Sequence, residues 1–219
     1  MKQILYILIS TLLFLSNSQV ENKVTNLLVT KVANNKIKFH KLKKMFTIGD
    51  FDGDGKQDTI FQHNYSRLTK AEIKYSPAPF QNEWDTVAKW FYDQDADVYL
   101  TLNKNNSDTL HLGTAQGLYS LINIGDNNAD GKDEIALVID LIDLSKINSC
   151  KIYSLCKDKW TLLKQFGVHE DAFDFSTEKT PLTDKIKDFL EKRNGEWFYN
   201  DYSQQDNNKM TELNLGRCE

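Results

Sequence analysis

The sequence predicts a mainly β protein of antiparallel hairpins with one C-terminal helix. Apolar and polar residues alternate in most segments, which is the spacing of a half-buried strand. Only two short stretches carry apolar residues at helical spacing. Among the 219 residues, 40% are hydrophobic and 26% are charged, a composition typical of a globular protein. A formal charge of −4 disfavours nucleic-acid binding, because a phosphate backbone repels a negative surface.

Residues 1–18 have the pattern of a secretory signal peptide. Lys2 provides a basic start, residues 4–15 form an apolar run, and Ser16 and Ser18 are small residues before a cleavage point. A membrane anchor is the alternative, but this run is shorter than the roughly 20 residues needed to cross a bilayer. We therefore expect an exported protein of the periplasm or the extracellular space. It is not expected to be an integral membrane protein, and residues 19–219 should form a single β-rich domain.

Strand candidates follow one another along this domain. Paired strands are expected within residues 24–48, around a turn at Asn34-Asn35. A hairpin should join residues 150–156 to residues 160–166 through a turn at residues 157–159. The other candidates are short runs of β-branched and aromatic residues: 59–63, 72–75, 98–102, 109–112, 119–124, 135–142 and 197–199.

Two segments have helical spacing. Trp84, Val87, Ala88 and Phe91 recur at i, i+3, i+4 and i+7, which predicts a short helix. The predicted C-terminal helix covers residues 181–193, with a Pro near its start and Asn-Gly after its end. The polar residues from Ser203 onwards are expected to fray.

Three cysteines leave the disulfide pairing open. Cys150 and Cys156 lie on one predicted strand, which holds them too far apart to bond to each other. Either one can pair with Cys218 in an oxidising compartment. The alternative is that the first two are small buried apolar residues and the third is a free thiol.

One acidic loop pattern, D-x-[DN]-x-D-G-x-x-[DE], occurs twice, and these two copies carry the functional prediction. Loop 1 covers residues 50–58 and loop 2 covers residues 126–134, each preceded by Ile-Gly. Clustered carboxylates repel one another unless a divalent cation lies between them, and Ca²⁺ accepts six to eight oxygen ligands. The Gly at position 6 provides a sharp turn, and position 7 offers its backbone carbonyl. The predicted ligands are Asp50, Asp52, Asp54, Lys56 and Asp58 in loop 1, and Asp126, Asn128, Asp130, Lys132 and Glu134 in loop 2.

Up to two calcium ions are therefore expected. Loop 2 carries the neutral Asn128 where loop 1 carries Asp52, so loop 2 is expected to bind more weakly. Asp133 adds a charge at a position that does not coordinate. An EF-hand is the nearest alternative, but it needs a Glu at position 12 and flanking helices, whereas this chain has Phe61 or Leu137 there and strand-like flanks.

These loops resemble those of the FG-GAP and VCBS repeats of integrin-type propellers and secreted bacterial proteins. The resemblance covers residues 45–64 and 119–142 and implies that the residues just named bind calcium inside blade-like hairpins. Two loops are too few for a complete propeller of four to eight blades, so a partial propeller-like or sandwich arrangement is expected. Residues 123–170 also resemble exported bacterial proteins, some of them similar to periplasmic immunity proteins against peptidoglycan-degrading toxins.

The resulting functional prediction is an exported calcium-binding module with a structural role or with a protein or glycan partner. A periplasmic inhibitor of a peptidoglycan hydrolase is the alternative. No nucleophile, zinc-protease or phosphate-loop motif is present, so the chain is not expected to be an enzyme. A second alternative is a glycan-acting hydrolase, because Asp93, Asp95 and Asp97 alternate beside aromatic residues.

Overall fold

The computed structural model describes residues 36–103, 109–173, 182–204 and 209–218. The predicted signal peptide and the predicted strand and turn before residue 36 lie outside these ranges. The described residues from Phe39 onwards form one compact unit. No helix within the described ranges has the length and apolar character needed to cross a membrane.

The described part of the chain is mainly β, which confirms the predicted fold class. Its strands are β1 (Phe39–Lys41), β2 (Phe46–Gly49), β3 (Asp58–Ser66), β4 (Ala71–Glu72), β5 (Tyr75–Pro77), β6 (Ala96–Leu102), β7 (Leu110–Gly113), β8 (Ala115–Gly125), β9 (Glu134–Leu141), β10 (Ile147–Cys156), β11 (Lys159–His169), β12 (Leu190–Arg193), β13 (Glu196–Tyr199) and β14 (Thr211–Glu212). All paired strands are antiparallel.

Four sheets result from this pairing. A four-stranded sheet has the order β11-β10-β9-β8, and a five-stranded sheet has the order β2-β3-β6-β7 with β4 on β3. A three-stranded sheet, β12-β13-β14, follows near the C-terminus, and β1 pairs with β5. The predicted hairpin of β10 and β11 is confirmed, with its turn at Lys157 and Asp158.

The four-stranded sheet is the centre of the unit because apolar residues cover both of its faces. Residues such as Ala136 and Val138 face Leu190 and Trp197 of the C-terminal sheet. Residues such as Leu137 on the opposite face pack with Ile60 and Leu100 of the five-stranded sheet. Burial on both faces explains why residues 135–139 form an unbroken apolar run rather than an alternating one.

The short helix predicted around residues 84–91 is confirmed as α1 (Trp84–Asp93). Val87 and Phe91 of α1 are buried with Leu42, Ile73 and Ala96 in a third, smaller core. The apolar spacing of one helical face therefore corresponds to real burial here.

The predicted C-terminal helix over residues 181–193 is wrong for its described residues, 182–193. Ile186 and Leu190 exchange two backbone hydrogen bonds of 2.8 Å across a tight turn, in which Asp188 has a φ of 64°. β12 and β13 then form a hairpin through Asn194-Gly195, both with positive φ. A tight turn and a helix both bring residues i and i+4 together, and Asn-Gly suits a hairpin turn as well as a helix end.

The expectation of a frayed tail is also wrong for residues 209–218. β14 pairs with β13, and Leu213 is buried in the core beneath the C-terminal sheet. Cys218 forms a disulfide with Cys156, at the end of β10, with a Cα–Cα distance of 5.3 Å. Cys150 is a buried free thiol, so one of the two pairings left open by the sequence is present.

Asp140 of β9 provides a prediction about pH. Gln116 Nε2 donates to Asp140 Oδ1 at 3.2 Å, and the Tyr119 hydroxyl also hydrogen-bonds this carboxylate. Burial nevertheless raises the pKa of Asp140 to about 7 from an ordinary value of 3.8. Between those two values the unfolded chain releases a proton that the folded chain retains, so the free energy of unfolding falls as the pH rises through this interval.

We expect Asp140→Asn to remove part of this decline, on the order of 1–2 kcal/mol between pH 5 and pH 8. The amide keeps the shape of the carboxyl group and does not ionise. Urea unfolding at several pH values, with a chelator present, measures the slope. Equal slopes for the wild-type protein and the variant would contradict the assignment.

Candidate metal centre

Both acidic loops connect two antiparallel strands in the same register. Loop 1 joins β2 to β3, and Gly49 pairs with Asp58. Loop 2 joins β8 to β9, and Gly125 pairs with Glu134. The residue before position 1 therefore faces position 9 in each hairpin, which confirms the predicted strand–loop–strand arrangement and brings the first and last acidic residues together.

The turn inside each loop requires left-handed backbone conformations at two positions. Position 6 is Gly55 or Gly131, with φ of 80° and 87°. Position 4 is Gly53 in loop 1 and Ala129 in loop 2, with φ of 78° and 56°. Residues with a side chain are disfavoured at such angles, which explains the Gly at position 6 of both loops. Ala129 at position 4 of loop 2 adopts a left-handed conformation despite its side chain.

The carboxylate at position 1 organises each loop in the same way. Asp50 Oδ2 accepts the backbone N–H of Gly55, and Asp126 Oδ2 accepts that of Gly131, both at 2.9 Å. The side chain at position 3, Asp52 or Asn128, accepts the N–H of position 5 at 3.1 or 3.0 Å. Two loops separated in sequence thus fold with a common internal hydrogen-bond pattern.

Each loop gathers three carboxylates around one point. Oxygen atoms of Asp50, Asp52 and Asp58 lie within 4.8 Å of one another in loop 1, and those of Asp126, Asp130 and Glu134 do so in loop 2. Oxygens on opposite sides of a Ca²⁺ ion are about 4.6–5.2 Å apart, twice the usual ligand distance. The carboxylates in each loop are therefore close enough together to hold a metal ion.

The remaining predicted ligands take different places. Asp54 lies outside the loop 1 carboxylate group; its Oδ1 accepts the N–H of Lys56, and its Oδ2 is 3.6 Å from Lys56 Nζ. Asn128 lies beside the loop 2 group and donates from Nδ2 to Asp130 Oδ2 at 3.1 Å. Lys132 directs its ammonium group away from the loop, to the carbonyl of Leu155 at 2.8 Å.

Glu134 is a fully buried carboxylate at the end of loop 2. Its exposed fraction is 0%, and Asn127 N–H donates to Oε2 at 2.8 Å. Oε1 is buried and has no hydrogen bond of standard geometry within the described structure. Burial, together with the nearby Asp130 and Asp126 carboxylates, raises the pKa of Glu134 to about 7, although the Asn127 N–H and the nearby Ser154 hydroxyl oppose this rise. A bound cation would supply the missing partner for this oxygen.

A bridge that the sequence did not reveal joins the two loops. Asp133 Oδ2 accepts the N–H of Asp50 at 3.0 Å, and the Asp133 N–H donates to the Asp50 carbonyl at 2.8 Å. Asn123 Nδ2 donates to the same Asp133 oxygen and to the carbonyl of Ile48, both at 2.8 Å. Asp133 thereby holds loop 1 against loop 2.

The two leading glycines therefore have different physical reasons. A Cβ on Gly49 would overlap Asn123 Nδ2 and Asp133 Oδ2, so the bridge requires Gly at this position. Gly125 has room for a Cβ but adopts a φ of 78°. The shared Ile-Gly of the repeat thus reflects close approach in one loop and backbone conformation in the other.

The three alternating aspartates of the glycosidase hypothesis have basic partners. Asp93 pairs with Lys89 on α1, and Asp95 pairs with Arg67. Asp97 is buried and contacts Arg67 Nη2 at 3.1 Å and His111 Nδ1 at 2.7 Å. Each of the three therefore has a basic neighbour, and Asp97 Oδ1 is buried with no hydrogen bond within the described structure.

Comparisons of the chain with protein-family models, with curated proteins and with solved structures find no match.

We expect Asp133→Ala to destabilise the protein by about 1–3 kcal/mol, because it leaves the Asp50 N–H and the Asn123 amide without their acceptor. Asp133→Asn is the matched control, since its Oδ1 can still accept one of these donors. Urea unfolding in chelator measures both variants. No loss of stability in Asp133→Ala would show that the bridge does not stabilise the fold. An equal loss in Asp133→Asn would show that the accepting oxygen is not the group on which the bridge depends.

Proposed function

We propose that this protein is an exported calcium-binding β-rich module in which calcium stabilises the two strand–loop–strand hairpins. The single observation that carries the proposal is the fully buried Glu134. Its carboxylate lies within 4.8 Å of those of Asp126 and Asp130, and its Oε1 has no hydrogen bond of standard geometry within the described structure. Loop 1 supports it with the same register and the same internal hydrogen bonds.

Calcium suits these loops better than magnesium or a transition metal. The candidate ligands are carboxylate and amide oxygens, which hard cations prefer. Magnesium retains several waters and demands a tight octahedral arrangement, whereas calcium accepts many protein oxygens in flexible geometry. An exported protein also meets more calcium than a cytoplasmic one.

The location of the loops suggests a structural role for the ions. Loop 1 ends on β3 of the five-stranded sheet, and loop 2 ends on β9 of the four-stranded sheet. The Asp133 bridge connects the loops where these sheets meet. Ions in both loops would therefore stabilise the contact between the two sheets as well as each hairpin.

A protein-binding role is the second candidate. Phe46, Ile48 and Phe61 lie on the neighbouring strands β2 and β3, beside loop 1, with exposed fractions of 57%, 46% and 43%. Exposed apolar patches of this kind favour association with another protein. An assay of a peptidoglycan hydrolase with the purified protein tests the inhibitor alternative. Inhibition that is lost in Phe46→Ser and retained in the exposed-site control Leu144→Ser would support it. No inhibition by the wild-type protein would exclude it.

We expect calcium to raise the melting temperature of the wild-type protein. Binding to the folded state alone contributes about 2.7 kcal/mol when free calcium is a hundredfold above Kd. Calorimetric titration and thermal melts, each in calcium, magnesium and chelator, measure this effect. No calcium-dependent shift of the midpoint would exclude the proposed role.

Glu134→Gln should separate the metal-binding role from ordinary structural damage. In chelator at pH 8, the variant should be as stable as the wild type or more stable, because it removes a buried charge beside two carboxylates. In calcium it should gain less stability than the wild type and lose one binding event in calorimetry. Asp158→Asn, on the turn between β10 and β11, is the control and should leave the calcium response unchanged. A variant that is unstable in chelator but keeps two calcium sites would contradict the assignment.

A further inference from the structure

The C-terminal tail, residues 213–218, lies against loop 2. Leu213 anchors the start of this tail in the core, and its N–H donates to the Trp197 carbonyl at 2.8 Å. Cys218 fixes the other end to Cys156 of β10. The chain between these anchors therefore has little freedom to leave the loop while the disulfide is intact.

Two tail residues contact Asn128, which occupies position 3 of loop 2. Arg217 Nε donates to the Asn128 carbonyl at 3.2 Å, and Asn128 Nδ2 donates to the Gly216 carbonyl at 3.4 Å. Asn128 is consequently 6% exposed. Asp52, at the same position of loop 1, is more exposed than Asn128.

The disulfide also borders loop 2 from the β10 side. Lys132 of loop 2 donates to the carbonyl of Leu155, the neighbour of Cys156. Ser154, two residues before Cys156, lies near Glu134. The disulfide thus joins the tail to the end of β10, and both of these segments contact loop 2.

We propose that the Cys156–Cys218 disulfide links the redox state of the protein to the calcium affinity of loop 2. This inference rests on the proposed function, because it concerns the affinity of one of the proposed calcium loops. With the disulfide formed, the tail holds Asn128 and the turn around it in the binding conformation, so less ordering is needed when calcium binds. A dithiol reductant would transfer two electrons and two protons to the disulfide, leaving two thiols and an oxidised reductant, and the tail would be released.

Two effects of the tail on calcium oppose each other. The Arg217 guanidinium repels a cation, whereas its hydrogen bond orders the loop. Arg217 is exposed, and solvent and salt screen its charge. Ordering is therefore the larger effect, and release of the tail should weaken binding rather than strengthen it.

The test measures each loop separately in the full chain. Asp50→Asn weakens loop 1 and leaves loop 2 to be titrated with calcium; Asp126→Asn does the reverse. In the Asp50→Asn background, reduction with dithiothreitol or the further change Cys218→Ser should raise the calcium Kd of loop 2 about tenfold, within the usual range of couplings between sites. In the Asp126→Asn background, the same treatments should leave the Kd of loop 1 within about twofold. An unchanged or tighter Kd of loop 2 would overturn the inference.

Arg217→Ala tests the contact with the disulfide left in place, so it avoids a variant that fails to fold. We expect a smaller increase in the calcium Kd of loop 2, about threefold. Arg217→Lys keeps the positive charge but lacks the guanidinium Nε donor, so it should raise the Kd as Arg217→Ala does if the hydrogen bond is the contact that matters. Tighter calcium binding by Arg217→Ala would show that repulsion by the guanidinium exceeds ordering, and would overturn the inference.

Hydrogen exchange in chelator separates failure of this inference from failure of the proposed function. The amides of Asp130 and Gly131 donate within loop 2 and report its order without any metal. Faster exchange after reduction, in a protein that binds no calcium, would support the tether and refute the proposed function. Unchanged exchange and an unchanged Kd in a protein that binds calcium would refute the tether alone.

Discussion

The burial of a carboxylate at the end of each acidic loop is the constraint on which the rest of this structure depends. Asp58 and Glu134 begin β3 and β9, and both are 0% exposed. A charge removed from water is costly unless an opposite charge or several donors compensate it. Strand pairing fixes these two positions opposite Gly49 and Gly125, so the backbone cannot simply turn the carboxylates out to solvent. The pairing that forms each hairpin therefore also holds its last carboxylate away from water.

This constraint reaches the whole domain because the two loops are not independent. Asp133 and Asn123 belong to the hairpin of the four-stranded sheet, yet they hold the backbone of Ile48 and Asp50 in the five-stranded sheet. Apolar contacts between the two sheets surround the same region, including Leu121 and Ile135. Hydrophobic contacts have no direction, so they specify only loosely how the two sheets are positioned against each other. The hydrogen bonds of the Asp133 bridge are directional and fix that position more sharply.

Local sequence patterns predicted the strands and the acidic loops well, because each depends on residues close together in the chain. The alternation in β10 and β11 and the left-handed position 6 of both loops are such local features. The C-terminal hairpin was missed because Ile186 and Leu190 meet equally in a helix or across a turn, and only tertiary packing decides between them. The Asp133 bridge and the tail contacts join residues more than 60 positions apart, and no local pattern encodes them.

The two loops differ in charge and in the contacts that hold them, so charge alone would not rank the affinities that we propose for calcium. Loop 1 has an Asp at position 3 and more solvent access, and Asp133 binds it to the neighbouring hairpin. Loop 2 has the neutral Asn128 there, but Glu134 is fully buried and the disulfide-held tail covers Asn128. One additional carboxylate strengthens the attraction for a cation, and preorganisation lowers the entropy lost on binding. The prediction that loop 2 binds more weakly rests on charge alone, whereas the contacts that cover Asn128 would reduce the ordering that calcium binding requires.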